Sequence, residues 1–201
     1  MNHASYRVAG ILLLTLGAAL PARAQDERKA EISGGYQLLT LHEGEVDETL
    51  GTGWYADVAG NFGPIFAVVV QVAGNYKSYG QDETINGFHA VVDAQLKVHT
   101  YLAGVRVGPR QARVSPYAEF LIGGATASVD VSSTVTNNGQ TIFSNSSSES
   151  GTDVAMQFGG GVTIWLSKRV GVRGAVGYLR VWGDEDEANA VRVAGGVTFG
   201  F

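Results

Sequence analysis

The chain has 201 residues, with 19 acidic and 14 basic side chains, a formal net charge of −5 and no cysteine. The acidic balance argues against nucleic-acid binding, because that function needs clustered Lys and Arg. The lack of cysteine excludes disulfides and thiolate metal sites, so a packed core or a membrane must hold the fold together.

The first 24 residues are predicted to be a secretory signal peptide. Arg7 supplies the positive start, residues 8–20 form an apolar run, and residues 22–24 are a small-x-small cleavage sequence. The apolar run is too short to span a bilayer as a helix, so we expect cleavage after residue 24 rather than a retained anchor. The predicted domains are a signal peptide over 1–24 and one domain over 25–201. That domain carries 12 basic and 19 acidic residues, a net charge of −7.

The rest of the chain alternates apolar and polar residues, which is the pattern of β-strands. The last twelve residues show this most strictly, with Val193, Val197, Phe199 and Phe201 on one face and Arg192 on the other. For the fourth predicted strand, the sequence does not indicate which face points inward, because both faces carry apolar residues. The eight predicted strands cover residues 30–41, 53–62, 65–77, 96–107, 114–131, 154–166, 170–182 and 190–201.

Short turns and longer polar stretches alternate between these strands. The turns fall at 63–64, 108–113 and 167–169, and the longer stretches at 42–50, 78–94, 132–151 and 183–189. Within 132–151, the pair Asn138-Gly139 between β-forming residues predicts a hairpin, with residues 144–151 as a flexible return limb. An even number of strands, with short turns at one end and longer loops at the other, is typical of transmembrane β-barrels.

The two faces of the strands indicate which solvent surrounds the sheet. One face carries large apolar residues, and the other carries mostly small and polar ones. Small and polar residues suit the crowded interior of a narrow barrel, and large apolar ones suit lipid. The sequence therefore predicts an all-β fold, an eight-stranded antiparallel up-and-down transmembrane β-barrel, with a soluble exported β-barrel as the alternative. The large apolar residues include Trp54, Phe62, Phe66, Phe158 and Phe199.

Several segments resemble the small outer-membrane β-barrel proteins of OmpA and OmpX type, whose barrel domain is often labelled porin-like. The resemblance covers residues 25–201 and implies a place in the outer membrane of a Gram-negative cell envelope, among outer-membrane lipids and lipopolysaccharide. The closing strand resembles the signal that the outer-membrane assembly machinery binds, and its matching positions are Val193, Val197, Phe199 and Phe201. The segments that carry the resemblance are 53–54, 57–62, 100–106, 116–119 and the closing strand.

Charged residues on the polar faces predict an ion-paired interior. Arg106 and Glu119 face each other if the hairpin between strands four and five is centred on the 112–113 bond. Because an arginine inside a narrow barrel must be paired, we expect an internal salt bridge, and the alternative is a gate or ion path. Arg173, Asp57 and Arg192 are expected in the same network.

Five aromatic residues are predicted to anchor the barrel at the membrane interfaces. They are Tyr36, Trp54, Trp165, Tyr178 and Trp182.

The longer loops are acidic and the short turns are basic. We expect the acidic end to be a solvated rim, or a surface that divalent cations bridge to lipopolysaccharide phosphates. The acids are Glu43, Glu45, Asp47, Glu48, Asp82, Glu83, Asp184, Glu185, Asp186 and Glu187, and the turns carry Arg110, Arg113, Lys168 and Arg169.

No residues are predicted to be catalytic, cofactor-binding or metal-binding. His42, His89 and His99 fit no metal-site spacing, and no nucleophile motif accompanies any serine. We therefore expect a monomeric, non-enzymatic barrel with a side-chain-filled lumen and a structural or surface-interaction role. A narrow channel or carrier for small solutes, and a lipid-modifying enzyme, are the alternatives.

Overall fold

The structure, a computed structural model, describes residues 28–43, 46–85, 88–110, 112–137, 140–183 and 187–201. Its strands pair antiparallel in chain order, and the last strand pairs with the first to close a barrel. The predicted eight-stranded antiparallel up-and-down barrel is confirmed. The strands are β1 (Ala30–Glu43), β2 (Val46–Phe62), β3 (Phe66–Ile85), β4 (Phe88–Val107), β5 (Val114–Asn137), β6 (Gln140–Trp165), β7 (Val170–Trp182) and β8 (Glu187–Gly200).

The predicted signal peptide, residues 1–24, lies outside the described residues. In the part of the chain that the structure describes, no helix is long and apolar enough to cross a membrane.

Side chains alternate across the barrel wall. On β8, Val193, Val197 and Phe199 point outward, whereas Arg192 and Thr198 are buried inside. The outer wall is a band of exposed apolar side chains, which is stable only against lipid or another apolar surface. Members of that band on other strands include Ile32, Leu38, Val58, Val68, Val70, Val105, Phe120, Ile122, Val154, Phe158 and Val176.

The facing of the fourth strand, which its sequence left open, is set by its neighbours. Leu102 and Arg106 are buried in the lumen, and Tyr101 and Val105 point outward.

The expectation that residues 78–94 and 144–151 lie outside the strands is wrong. β3 and β4 stay paired to Ile85↔Phe88, and residues 144–151 pair with 127–134 of β5. Polar side chains are compatible with a strand whose neighbours complete its backbone hydrogen bonds, and strict alternation is needed only where one face is buried. The predicted loop 42–50 is also mostly strand, since β1 and β2 pair to Glu43↔Val46. The turn residues Asn138-Gly139 lie outside the described residues, but the pair Asn137↔Gln140 brackets the predicted hairpin.

The short turns and the first and last described residues gather at one end of the barrel, here called the turn end. Gly63 turns the chain there with a φ of +66°, a conformation that favours glycine. The Lys29 amide donates to the carbonyl of Phe201 at 2.6 Å, and the Phe201 amide donates to Ala30 at 2.9 Å. The opposite end, where the long hairpins project, is called the sheet end.

Candidate functional site: the lumen and the projecting sheet

Arg106 and Glu119 lie opposite each other on β4 and β5, and both point into the lumen. Arg106 Nε and Nη2 donate to Glu119 Oε2 at 3.0 and 2.9 Å, and Nη2 lies 3.4 Å from Asp57 Oδ2. Arg106 is only 2% exposed. The guanidinium is therefore a buried cation shared by two carboxylates from different strands.

Arg173 extends this ion pairing across the lumen. Its Nη2 donates to Glu31 Oε2 at 2.6 Å, and its Nη1 lies 3.3 Å from Asp57 Oδ1. Glu31 Oε1 lies 3.3 Å from Arg110 Nη1. Arg106, Arg110 and Arg173 thus alternate with Glu31, Asp57 and Glu119 in one network, here called the polar layer.

Arg192 is buried in a different way. Its guanidinium donates to the amide oxygens of three glutamines, Gln37 at 2.5 Å, Gln71 at 2.8 Å and Gln157 at 3.3 Å. Its guanidinium carbon also lies 5.0 Å from the centre of the Tyr55 ring. Arg192 therefore keeps its hydrogen bonds through neutral partners, without a carboxylate in direct contact among the described residues.

Tyr117 fills the space between the arginines of the polar layer. The guanidinium carbons of Arg106 and Arg173 lie 4.6 and 5.3 Å from its ring centre, a distance at which a cation is attracted to an aromatic face.

Toward the sheet end the lumen becomes apolar. On β4 and β5, Leu102 and Leu121 lie on the sheet-end side of Arg106 and Glu119, and Leu179 follows Arg173 in the same direction along β7. These side chains are 3% exposed or less and belong to one packed cluster. This group, here called the apolar layer, comprises Leu39, Leu50, Leu102, Leu121, Leu179, Ala125, Ala155 and Ala190.

The structure brings all five predicted interior residues into the lumen, namely Arg106, Glu119, Asp57, Arg173 and Arg192. Glu31, Arg110 and the three glutamines were not among the predicted residues. Strand parity places Glu31 and Gln37 on the inner face, but their partners on distant strands depend on the register of the closed barrel. The apolar layer also went unnoticed, because isolated leucines among small residues give no strong pattern.

Trp165 is not part of an outward-facing aromatic girdle, and that prediction is wrong. It is 5% exposed and lies on the inner face of β6, the face of Gln157 and Thr163. The guanidinium carbon of Arg28 lies 3.9 Å from the centre of its ring. Strand alternation alone places Trp165 inside the barrel. The prediction was wrong because it relied on the aromatic residue type and not on the alternation.

The other four predicted girdle residues, Tyr36, Trp54, Tyr178 and Trp182, lie on outward faces. Near the sheet end, Trp54 Nε1 donates to the Tyr76 hydroxyl at 3.2 Å, and that hydroxyl lies 3.1 Å from His99 Nε2. Their anchoring role at an interface stays a prediction.

Strands β3 to β6 continue past the closed ring as a four-stranded sheet, here called the outer sheet. β2 leaves β3 after the pair Trp54↔Gly74, and β7 leaves β6 after Val154↔Trp182. β3 then has β4 as its partner, and β6 has β5, to the ends of their described pairing. The twelve residues of β5 beyond Ala125 reach about 40 Å at roughly 3.3 Å per residue. Over residues 140–153, β6 pairs only with β5 in the described pairing, so this stretch forms an outer edge of the sheet.

The outer sheet and its neighbouring hairpins are acidic. The described side chains there include Asp82, Asp93, Asp130, Glu149, Asp153 and Glu187 against Lys77, Lys97 and Arg180. The side chains of Glu43, Glu45, Asp47, Glu48, Glu83, Asp184, Glu185 and Asp186 lie outside the described residues. The turn end carries Arg110, Arg113, Lys168 and Arg169, so the molecule is electrically polarised along its axis.

Among the described side chains, no group of three His, Asp or Glu residues could hold a metal ion. His99 is bonded to Tyr76, as above, and the side chains of His42 and His89 lie outside the described residues.

An apolar outer wall around a filled, ion-paired interior defines an integral membrane β-barrel. The sequence matches the model of the outer membrane protein beta-barrel domain family over residues 9–199, and the chain belongs to that family. Membership implies location in the outer membrane.

Solved structures share the fold. Ail, the attachment invasion locus protein of Yersinia pestis, in complex with the heparin analogue sucrose octasulfate, is 19% identical with a TM-score of 0.60. That match covers 86% of this chain and 97% of Ail. Neisserial surface protein A is 11% identical with a TM-score of 0.52, over 86% of this chain and 97% of the other. No protein with a curated description matches the sequence.

Proposed function

We propose that this chain is a non-catalytic surface-interaction protein of the outer membrane, a closed barrel that holds the outer sheet in the extracellular space. The observation that carries this proposal is the contrast between a lumen filled by two layers and four strands that continue far beyond it. Strands longer than about 9–11 residues exceed what a membrane crossing requires, so the extra length serves something outside the bilayer.

The filled lumen argues against a channel or carrier. A solute would have to separate the Arg106–Glu119 pair and then displace leucines such as Leu121, which is 0% exposed. The interior carboxylates of the polar layer are all bound to arginines, which argues equally against their acting as general acids or bases.

The β6 edge of the outer sheet, residues 140–153, favours a polypeptide partner. An exposed strand edge presents unpaired N–H and C=O groups, and an extended segment can add to it as another strand. The acidic charge around the sheet favours a partner rich in Lys or Arg, because complementary charge speeds encounter and excludes like-charged molecules.

The acidic charge of the outer sheet argues against a ligand of the kind that is bound to Ail. Ail was crystallised with a polyanionic heparin analogue. Sulfate groups would be repelled by the acidic sheet end here, so we do not extend that ligand to this chain and propose a cationic partner instead.

The membrane partners follow from the outer wall. We propose contact between the outward aromatics, such as Tyr36 and Trp54, and outer-membrane lipids and lipopolysaccharide. We also propose assembly as a monomer by the outer-membrane machinery, which would bind the closing strand at Val193, Val197, Phe199 and Phe201. Deleting Phe201 should then lower insertion into the membrane more than it lowers the stability of folded barrel.

The test is a variant without the outer sheet. Lys77 is joined to Leu96, and Ala127 to Gly151, each through Asn-Gly, since each pair is directly opposite in register. Both proteins are reconstituted in phosphatidylcholine vesicles and exposed to labelled polylysine or heparin. We expect the full-length protein to bind polylysine and not heparin, and the shortened one to lose that binding.

Two outcomes would overturn the proposal. Equal polylysine binding by the shortened barrel would remove the role of the sheet. Steady single-channel steps in planar bilayers would show that the lumen conducts and favour the channel alternative. Migration of both proteins as heat-modifiable folded barrels on gels controls for misfolding.

A further inference from the structure

A small cavity lies in the lumen at the turn end, beneath the polar layer. It has a volume of about 20 Å³, enough for one water-sized guest. Its walls include Arg106, Arg110, Arg173, Trp165 and the carboxylate residue Glu31.

Two residues of these walls carry buried hydrogen-bond donors. Trp165 Nε1 and Arg110 Nε are buried and donate to no acceptor among the described protein atoms. Trp165 is 5% exposed and Arg110 is 8% exposed. Both groups can only donate, and a buried donor left unpaired costs about 1–3 kcal/mol. Whatever satisfies both must therefore accept hydrogen bonds.

Among the described side chains at and around the cavity, four guanidinium groups accompany three carboxylates. The three carboxylates of the polar layer are matched by Arg106, Arg110 and Arg173. Arg28 adds a fourth cation, since it lies over the Trp165 ring and donates to the carbonyl of Arg110. Burial lowers the pKa of both Arg28 and Arg110, and the nearby Glu31 carboxylate opposes this shift.

We propose that this cavity binds one small monovalent anion of halide size, held by the N–H groups of Trp165 and Arg110. An anion accepts from both donors at once and offsets the fourth cation. The small volume of the cavity favours a halide over sulfate, phosphate and larger organic anions. Bound there, the anion would link Arg110 of the turn to Trp165 of β6 and help to close the turn end.

The direct test is crystallisation of the unmodified protein from sodium bromide, with diffraction data collected at the bromine absorption edge. We expect an anomalous peak in the cavity. Density without anomalous signal would identify water, and density continuous with a side-chain carboxylate of this chain would identify an internal acceptor. Either result overturns the proposal.

A solution measurement tests the donors. The urea unfolding midpoint of the folded barrel in detergent micelles is compared in sodium chloride and sodium gluconate at equal ionic strength, because gluconate is too large to enter. We expect a higher midpoint in chloride. Trp165→Phe keeps an aromatic ring beside Arg28 but removes the N–H, and should weaken chloride binding about tenfold or more, the loss expected for a hydrogen bond to a charged group.

The matched control is Trp54→Phe, which removes an outward-facing indole N–H that is bonded to Tyr76. It should keep the full difference between the two salts. An adventitious ion only is the conclusion if Trp165→Phe keeps both the bromide peak and the chloride effect, and that result also overturns the proposal.

Discussion

The two layers of the lumen close the same barrel by different physical means. In the polar layer, Arg106 touches Glu119 and Asp57, and each charge depends on the presence of its partner. In the apolar layer, leucines such as Leu102 and Leu121 exclude water by packing alone. The polar layer specifies which strands are neighbours, because its charges pair only in the correct register. The apolar layer fills the space that this register leaves.

The largest loss of stability is expected when the polar layer loses one charge. Glu119→Ala should lower the free energy of unfolding by about 3–5 kcal/mol, because it removes a carboxylate partner of the buried Arg106. Urea unfolding of the refolded barrel, followed by tryptophan fluorescence, measures this loss.

The matched control removes both charges. Arg106→Met with Glu119→Leu should recover most of the stability, because apolar side chains of similar size avoid the desolvation cost of a buried ion pair. A double variant as unstable as Glu119→Ala would show that the stability loss comes from losing the ion pair itself, and not from leaving Arg106 unpaired.

The apolar layer should respond to lost volume instead. Leu121→Ala is expected to cost about 2–5 kcal/mol, since Leu121 is fully buried and its removal leaves a cavity. Its neighbour Ile122 points outward and is 52% exposed, so Ile122→Ala should cost clearly less in the same urea experiment. Equal losses at both positions would contradict a packed apolar layer.

A smaller effect is expected where the wall packs against the polar layer. A Cβ at Gly161 would meet the Gly174 carbonyl oxygen and the Tyr117 ring, so Gly161→Ala should cost about 1–3 kcal/mol. Gly174 lies in the same hairpin but has nothing within 4 Å of an added Cβ, so Gly174→Ala is the control. If the two variants unfold at the same urea concentration, the close approach of the Gly174 carbonyl and the Tyr117 ring to Gly161 has no energetic role.

The smallest effect is expected in the outer sheet, where solvent screens charge. Lys97 Nζ lies 2.7 Å from Asp130 Oδ2, and this hydrogen bond lowers the pKa of the Asp130 carboxyl. A carboxyl with a lowered pKa in the folded state contributes stability above its unfolded pKa and loses it as the pH falls through the folded one. Lys97→Met should therefore leave the urea midpoint at pH 7 nearly unchanged and slightly reduce its drop in acid. A large loss at pH 7 would show that the outer sheet supports the barrel.

Much of the barrel could be predicted from the order of residues. The alternation on β1, β2, β7 and β8 placed Glu31, Asp57, Arg173 and Arg192 on the inner face, because each of these strands has lipid on one side and a crowded lumen on the other. The length of β3 to β6 could not, because beyond the membrane neither face is buried and the pattern carries no information about strand ends. For Trp165 the alternation pattern was present and places the side chain inside, but the prediction gave more weight to its residue type.

Period-2 patterning and short turns were enough to predict the barrel, its strand number, its outward apolar face and the local pair Arg106 and Glu119. The folded barrel was needed to see which distant charges share the lumen, that leucines fill its sheet end, and that four strands continue as a sheet. Those features depend on the register of the closed barrel, which sums small offsets between eight strands. No single stretch of sequence encodes that sum.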